Sequence, residues 1–205
     1  MKKCLLLALL ACFFEVGARE FQLWTANVFK KEHAKDWESL FEFSTRTRES
    51  PFRTYYYHWE YELKKHLGCG WSLIPGYRHE YNRHPAKGWK NGAVPLLAVT
   101  KKQKFSDVGV HHRSRIEYHY RGSEWRFRQR ITCKMNFTFW AQPFFAEEVF
   151  FAERRGFNQN RFSIGLKKKL CSKGHFEIAY MLRDRKIRHR WRGENDLVLK
   201  ASMKW

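Results

Sequence analysis

Residues 110–121 read VHHRSRIEYHYR, and this stretch restricts the fold more than any other. Every second residue is polar and mostly cationic: His111, Arg113, Arg115, Glu117, His119 and Arg121. Between them stand Val110, His112, Ser114, Ile116, Tyr118 and Tyr120. A period of two belongs to a β-strand with one wet face and one largely apolar face. A helix would scatter the arginines around its circumference. The same texture recurs along the chain. In 125–135, Trp125, Phe127, Ile131, Cys133 and Met135 alternate with Arg126, Arg128, Arg130, Thr132 and Lys134, and Gln129 alone breaks the apolar side. In 54–64, Tyr55, Tyr57, Trp59, Tyr61 and Leu63 alternate with Tyr56, His58, Glu60, Glu62 and Lys64.

Read this way, the chain gives strands near 21–31, 36–48, 54–66, 70–82, 94–105, 108–121, 125–135, 137–151, 160–170, 175–187 and 196–205. No helix-period segment of useful length interrupts them, and no Pro/Ser-rich linker divides them. The expectation is one all-β domain over 19–205. Aromatic residues are 18% of the chain, yet its mean hydropathy is −0.68. A soluble domain this aromatic would gather its apolar residues into a core; here they alternate with charge. The formal charge of +20 points toward an anionic partner or surface. A cationic disordered tail is excluded by the wealth of Trp, Tyr and Phe. An exported nucleic-acid-binding β protein is a weaker reading, because the alternation covers the whole chain.

Lys2 and Lys3 followed by the apolar run Cys4–Phe14 and by Val16-Gly17-Ala18 form a cleavable export signal over 1–18. The run is too short to span a bilayer as a helix. A rival reading makes Leu9-Leu10-Ala11-Cys12 a lipobox with Cys12 as a lipidated N-terminus, although Leu10 is awkward there. The mature chain keeps Cys69, Cys133 and Cys171, so at most one disulfide forms and one thiol stays free. No metal-ligand spacing appears, and no cofactor is expected.

Alternation of this kind over a whole exported chain predicts a single antiparallel transmembrane β-barrel in a bacterial outer membrane. Connections near His66–Gly70, Ser106-Asp107 and Ser172–Gly174 read as tight; those near Arg83–Gly92, Glu153–Gln159 and Arg188–Asn195 read as longer and polar. Roughly 16 residues per strand and turn gives about twelve strands. The count of eleven from the pattern conflicts with the even number usual in single-chain bacterial barrels, so twelve is the expectation and ten the fallback. Trp205, with Met203, Ala201, Leu199 and Leu197 behind it at every second position, looks like the terminal signal read by the barrel assembly machinery. Outer-membrane lipids and that machinery are the partners this implies.

Taken together, these residues resemble the bacterial DUF2490 family over about Leu23 to Trp205. The resemblance rests on Trp24, Glu42…Arg46, Gly76-Tyr77, Arg113-x-Arg115-x-Glu117 and Arg126-x-Arg128. It continues through Glu148-Val149-Phe150, Asn160-Arg161…Gly165-Leu166 and Ala179-Tyr180. Ile116 stands where the family usually has leucine. The resemblance implies an outer-membrane barrel and no catalytic residue.

If the apolar side faces lipid, the lumen receives Arg46, Arg78, Glu80, Lys101 and Lys167. It also receives the cations Arg113, Arg115, Arg121, Arg126, Arg128, Arg130 and Arg161, and the acids Glu38, Glu42, Glu60, Glu62 and Glu117. Arg on the lipid face would cost about 2–4 kcal/mol near the midplane, so the two faces cannot be exchanged. Two roles follow. Arg and Glu pair across strands and fill a structural barrel, or surplus cations line a narrow channel preferring small anionic solutes. An outer-membrane hydrolase is a third class. Ser114, His111 and His112 do not share a face, nor do Glu147 and Glu148, so no catalytic set emerges.

Overall fold

The computed structural model of the chain describes residues 20–48, 53–84, 86–136, 140–187 and 190–205. The expected export signal and the Cys12 alternative lie outside the described residues. Strands run β1 (Glu20–Ala34), β2 (Trp37–Arg48), β3 (Thr54–Gly68), β4 (Trp71–His84), β5 (Gly88–Phe105) and β6 (Val108–His119). A 3-10 turn (Tyr120–Gly122) leads to β7 (Glu124–Met135), β8 (Gln142–Ala152), β9 (Gly156–Lys169), β10 (Gly174–Ile187) and β11 (Arg190–Lys204). Each strand pairs antiparallel with the next, and β1 and β11 close the ring.

The closing pair is parallel, with Glu20 beside Glu194 and Lys30 beside Lys204. This overturns the expected twelve strands and the fallback of ten. The pattern itself counts eleven, and the conflict came from requiring an even number. With an odd number the first and last strands point the same way, so the ring must close in parallel. Parallel pairing is slightly weaker per residue than antiparallel. Polar side chains reinforce the seam: Lys200 of β11 reaches past β1 to Glu42 of β2 at 2.9 Å, and Arg183 of β10 donates to Gln22 of β1 at 2.5 Å.

The odd count also sends the two ends of the barrel strand order to opposite mouths. Trp205 lies with the β1–β2, β3–β4, β5–β6, β7–β8 and β9–β10 connections; Glu20 lies with the other five. The longer loops expected at the Glu20 mouth are not present. Gly88–Gly92 belongs to β5, 156–159 to β9 and 190–195 to β11, leaving three residues between His84 and Gly88 and three between Ala152 and Gly156. Each of these segments carries a single outward aromatic, Trp89, Phe157 or Trp191, among polar residues, too little for a period of two to show, so they read as loops.

Large apolar side chains point outward: Phe29, Phe43, Leu97, Ile116, Phe127, Phe162, Ile164 and Ile178 are exposed. Buried positions facing the lumen include Ser44, Glu60, Glu62, Arg78, Arg115, Glu117, Arg161 and Arg183. The barrel is thus apolar outside and charged inside. Gln129, which breaks the outward apolar row, accepts from Ser114 Oγ at 2.9 Å and lies 2.7 Å from His112 Nε2. Cys69, Cys133 and Cys171 are all free.

Tryptophans collect near the two rims. Trp37, Trp71, Trp140 and Trp205 lie toward the Trp205 mouth, and Lys65, Lys101 and Lys168 stand over the rings of the first three at 5.2, 4.4 and 4.9 Å. Trp89, Trp125 and Trp191 are exposed toward the Glu20 mouth. Lys101, expected in the lumen, therefore faces outward, because Thr100 and Lys102 occupy the inward positions of β5.

Gly165 has no room for a side chain: a Cβ there would sit 2.4 Å from the Ile178 carbonyl oxygen and 2.8 Å from the Phe144 ring. Gly165→Val should destabilise the folded barrel by about 1–3 kcal/mol through overpacking. Gly122→Val, with its nearest neighbour 3.9 Å away, should stay within about 0.5 kcal/mol. Urea titration of the refolded protein, followed by tryptophan fluorescence, measures both.

Candidate functional site: the charged lumen

One wall of the lumen is filled by an ionic network whose centre is Glu117 on β6, with 0% of its side chain exposed. Arg78 of β4 donates to Glu117 Oε1 at 3.0 Å, and Arg128 of β7 does so at 2.7 Å. Arg115, on the same strand, brings Nε to 3.1 Å from that oxygen. His119 Nε2 lies 3.2 Å from the other oxygen. The network extends both ways. Arg78 and Arg115 meet Glu60 of β3 at 2.6 and 2.7 Å, and Arg113 pairs with Glu62. Arg128 and Arg161 share Glu148 at 2.7 and 3.2 Å.

Pairs between β3 and β6 must cross two strands. The inward positions between them include Gly76 and Ala98, which leave space for Arg113 and Arg115 to reach Glu62 and Glu60. A separate cluster joins Arg183 to Glu194 at 2.5 Å and to Asp196 at 3.2 Å.

Beside the network lies a cavity of about 430 Å³, bordered by the small residues Ala26, Ala146 and Ala179 and by the network's own Arg115, Arg128 and Glu148. Arg46, Arg126 and Arg130 line it and form no ion pair among the described residues. Arg46 is held by ring faces instead, 3.9 Å from the centre of Trp24 and 4.6 Å from that of Tyr56. Arg161 lies between the Trp24 and Phe150 rings at 5.4 and 4.4 Å. A guanidinium stacked on an aromatic ring keeps its N–H edge available to an anion. The cavity also touches Arg48, Arg155, Arg185 and Lys186 toward the Glu20 mouth and Glu42, Glu177 and Lys200 deeper inside.

The sequence-derived lumen residues divide three ways. Arg113, Arg115, Arg128, Arg161, Glu60, Glu62 and Glu117 meet in the network. Arg126 and Arg130 line the cavity, while Glu38 lies 3.9 Å from Lys64 and Glu42 pairs with Lys200. Arg121 is a correction: β6 ends at His119, and Arg121 stands exposed in the 3-10 turn. Sequence reasoning missed Glu148 as a partner, although its period-two position pointed inward. It also missed Arg183, Glu194 and the inward Trp24. Glu194 sat in a segment read as loop. Among the described residues no group of three or more His, Cys, Asp or Glu is placed to hold a metal ion.

The fold and site define a closed β-barrel with a charged, cavity-bearing lumen. The chain belongs to the DUF2490 family, described as a protein of unknown function, whose profile matches residues 21–194. That match covers β1 to β10 and the start of β11. No curated protein matches the chain.

Glu117→Gln should cost about 3–5 kcal/mol, since it leaves Arg78, Arg115 and Arg128 facing one another without their shared carboxylate. Adding Arg128→Met should recover part of the loss. Denaturant unfolding of the two single variants and the double variant gives the coupling. Additive losses would mean that Glu117 and Arg128 act independently.

Proposed function

We propose that this protein is a bacterial outer-membrane β-barrel whose lumen takes up small anions. The observation that carries the membrane part is the pair of tryptophan belts. From Trp89 to Lys101, which pairs with Trp71, β5 advances twelve residues. That is about 40 Å along a strand, and about 30 Å of height at a barrel's usual tilt. An apolar band of about 25 Å between aromatic girdles is what a bilayer requires. The exposed Phe, Ile and Leu between the belts would otherwise form an apolar surface far larger than a soluble monomer carries. In this reading residues 1–18 are the export signal and the Trp205 strand is the assembly signal.

The anion part rests on Arg46, Arg126 and Arg130 beside the cavity. The network borders this cavity on one side, so passage, where it occurs, runs between the network and the small residues Ala26 and Ala179. Nothing in the geometry favours hydrolysis: Ser114 and His112 face outward and are joined through the Gln129 amide rather than to each other.

Three measurements test this reading. The mature protein should fractionate with outer membranes and migrate differently on gels before and after heating; recovery as a soluble periplasmic protein overturns it. Ile116→Arg should impair assembly more than Arg115→Leu, because the first places a charge in lipid at a cost of about 2–4 kcal/mol. Planar-bilayer recording in asymmetric salt should give a reversal potential favouring anions. Replacing Arg46, Arg126 and Arg130 with Gln should weaken that preference. Electrical silence leaves a salt-bridged structural barrel and removes the channel.

A further inference from the structure

Lysine and arginine are sorted along this barrel. Toward the Trp205 mouth each odd-numbered strand places a lysine at an inward-facing position, Lys30, Lys64, Lys102, Lys134, Lys167 and Lys200, and Lys104, Lys169 and Lys204 follow in the same phase at the strand ends. The inward positions are fixed by the buried residues preceding them on the same faces, such as Val28 before Lys30, Thr100 before Lys102 and Thr132 before Lys134. Six side chains from six strands thus converge on one opening. They lie close enough to feel one another's charge: Lys30 interacts with Lys102, Lys167 and Lys200, and Lys134 with Lys30, Lys102 and Lys167.

Compensation is sparse. Lys200 is paired with Glu42 at 2.9 Å, Glu38 lies 3.9 Å from Lys64 and within electrostatic reach of Lys30, and Glu32 is taken up by Lys204 at 2.6 Å. Glu177 is the remaining carboxylate within electrostatic reach of Lys134 and Lys200. Lys30, Lys102, Lys134 and Lys167 form no ion pair among the described residues, and His111 and His175 stand among them. Four unpaired ammonium groups held around one opening repel one another. A multiply charged anion placed among them would remove that repulsion. Lysine is a compact, flexible point charge, which suits phosphate oxygens that vary in position.

We propose that the Trp205 mouth is a binding site for a soluble solute carrying several clustered phosphate-type charges, held by Lys30, Lys102, Lys134 and Lys167. The inward direction of these lysines separates them from Lys65, Lys101 and Lys168, which stand outward over tryptophan rings, where lipid phosphates would lie. The inference rests on the reading of the lumen as an anion-binding space, but it needs no flow through the barrel.

The test uses the full-length mature chain refolded in detergent, with inorganic tripolyphosphate as the probe. Tripolyphosphate should raise the unfolding temperature and bind with an affinity that falls steeply with salt. The triple variant Lys30→Gln, Lys134→Gln, Lys167→Gln should fold at least as stably in the absence of the probe, since repulsion is removed. It should bind about tenfold or more weakly. Should the triple variant not fold, Lys134→Gln alone should show a smaller loss in the same direction. No binding by the parent protein, or equal binding by parent and variant, overturns the proposal. A loss confined to Lys65→Gln, Lys101→Gln and Lys168→Gln, with competition by anionic phospholipid vesicles, assigns the site to lipid and also overturns it. Intact binding together with silent bilayers overturns the channel reading alone.

Discussion

Glu117 is the group on which the interior depends. It is enclosed completely, and three arginines on three strands converge on its carboxylate. In a soluble protein a strand's apolar face turns inward and pays for burial by leaving water; here that face turns outward and cannot serve as a core. The inside must then be held by polar contacts. Guanidinium groups suit the task because each presents several N–H donors in a plane and can bridge two carboxylates. Arg78 bridges Glu60 and Glu117, and Arg128 bridges Glu117 and Glu148, so β3, β4, β6, β7 and β8 are tied edge to edge through one chain of charges. Paired charges of this kind do not by themselves prove extra stability, since desolvation offsets much of their attraction. Their effect is specific: loss of one partner strands several like charges together.

The same logic explains the closure. A ring of eleven strands leaves one parallel seam, and the contacts crossing that seam come from lumen side chains rather than from the ladder alone. Lys200–Glu42 and Arg183–Gln22 each bridge strands on opposite sides of it. Tyr55 of β3 also donates to Gln22, so β1 is held from both flanks. Outside, the backbone N–H of Trp205 donates to the Lys30 carbonyl at 3.1 Å, and the Trp205 ring lies 6.5 Å from that of Phe29. The terminal aromatic residue thus sits at the seam, where strand order is completed.

Much of the architecture was legible because a strand's period of two records which face each residue occupies. Arg113-x-Arg115-x-Glu117 and Arg126-x-Arg128 announced their faces without any knowledge of neighbours. Three things were not legible. Strand number was distorted by an evenness rule that the pattern did not support. Strand ends at the Glu20 mouth carry one outward aromatic each, Trp89, Phe157 and Trp191, among polar residues, so no period of two shows there and β5, β9 and β11 began earlier than their sequence suggested. Partner choice was hidden as well, because it depends on what stands between strands. Glu62 reaches Arg113 across β4 and β5 in a lumen where Gly76 and Ala98 are inward neighbours, and no local pattern on either strand reports this. Lys101 and Lys102 show the limit at single-residue scale: both are lysine, and only the phase set by Ala98 and Thr100 assigns one to the outside and the other to the lumen.

The sorting of cations along the axis follows from their chemistry. Arginine is weakly hydrated and planar, so it tolerates the enclosed middle, where it is either forked onto carboxylates or laid on Trp24 and Phe150. Lysine holds its water strongly and keeps it at the open rim. A lumen assembled for packing alone would need cations matched to carboxylates throughout. This one is matched through the chain Glu60–Arg78–Glu117–Arg128–Glu148 and unmatched in two places, at Arg46, Arg126 and Arg130 beside the cavity and around the Trp205 mouth. Those unmatched places are also where the small side chains of Ala26, Ala146 and Ala179 or the opening itself leave room for water. The excess positive charge therefore resides where an anion can reach it.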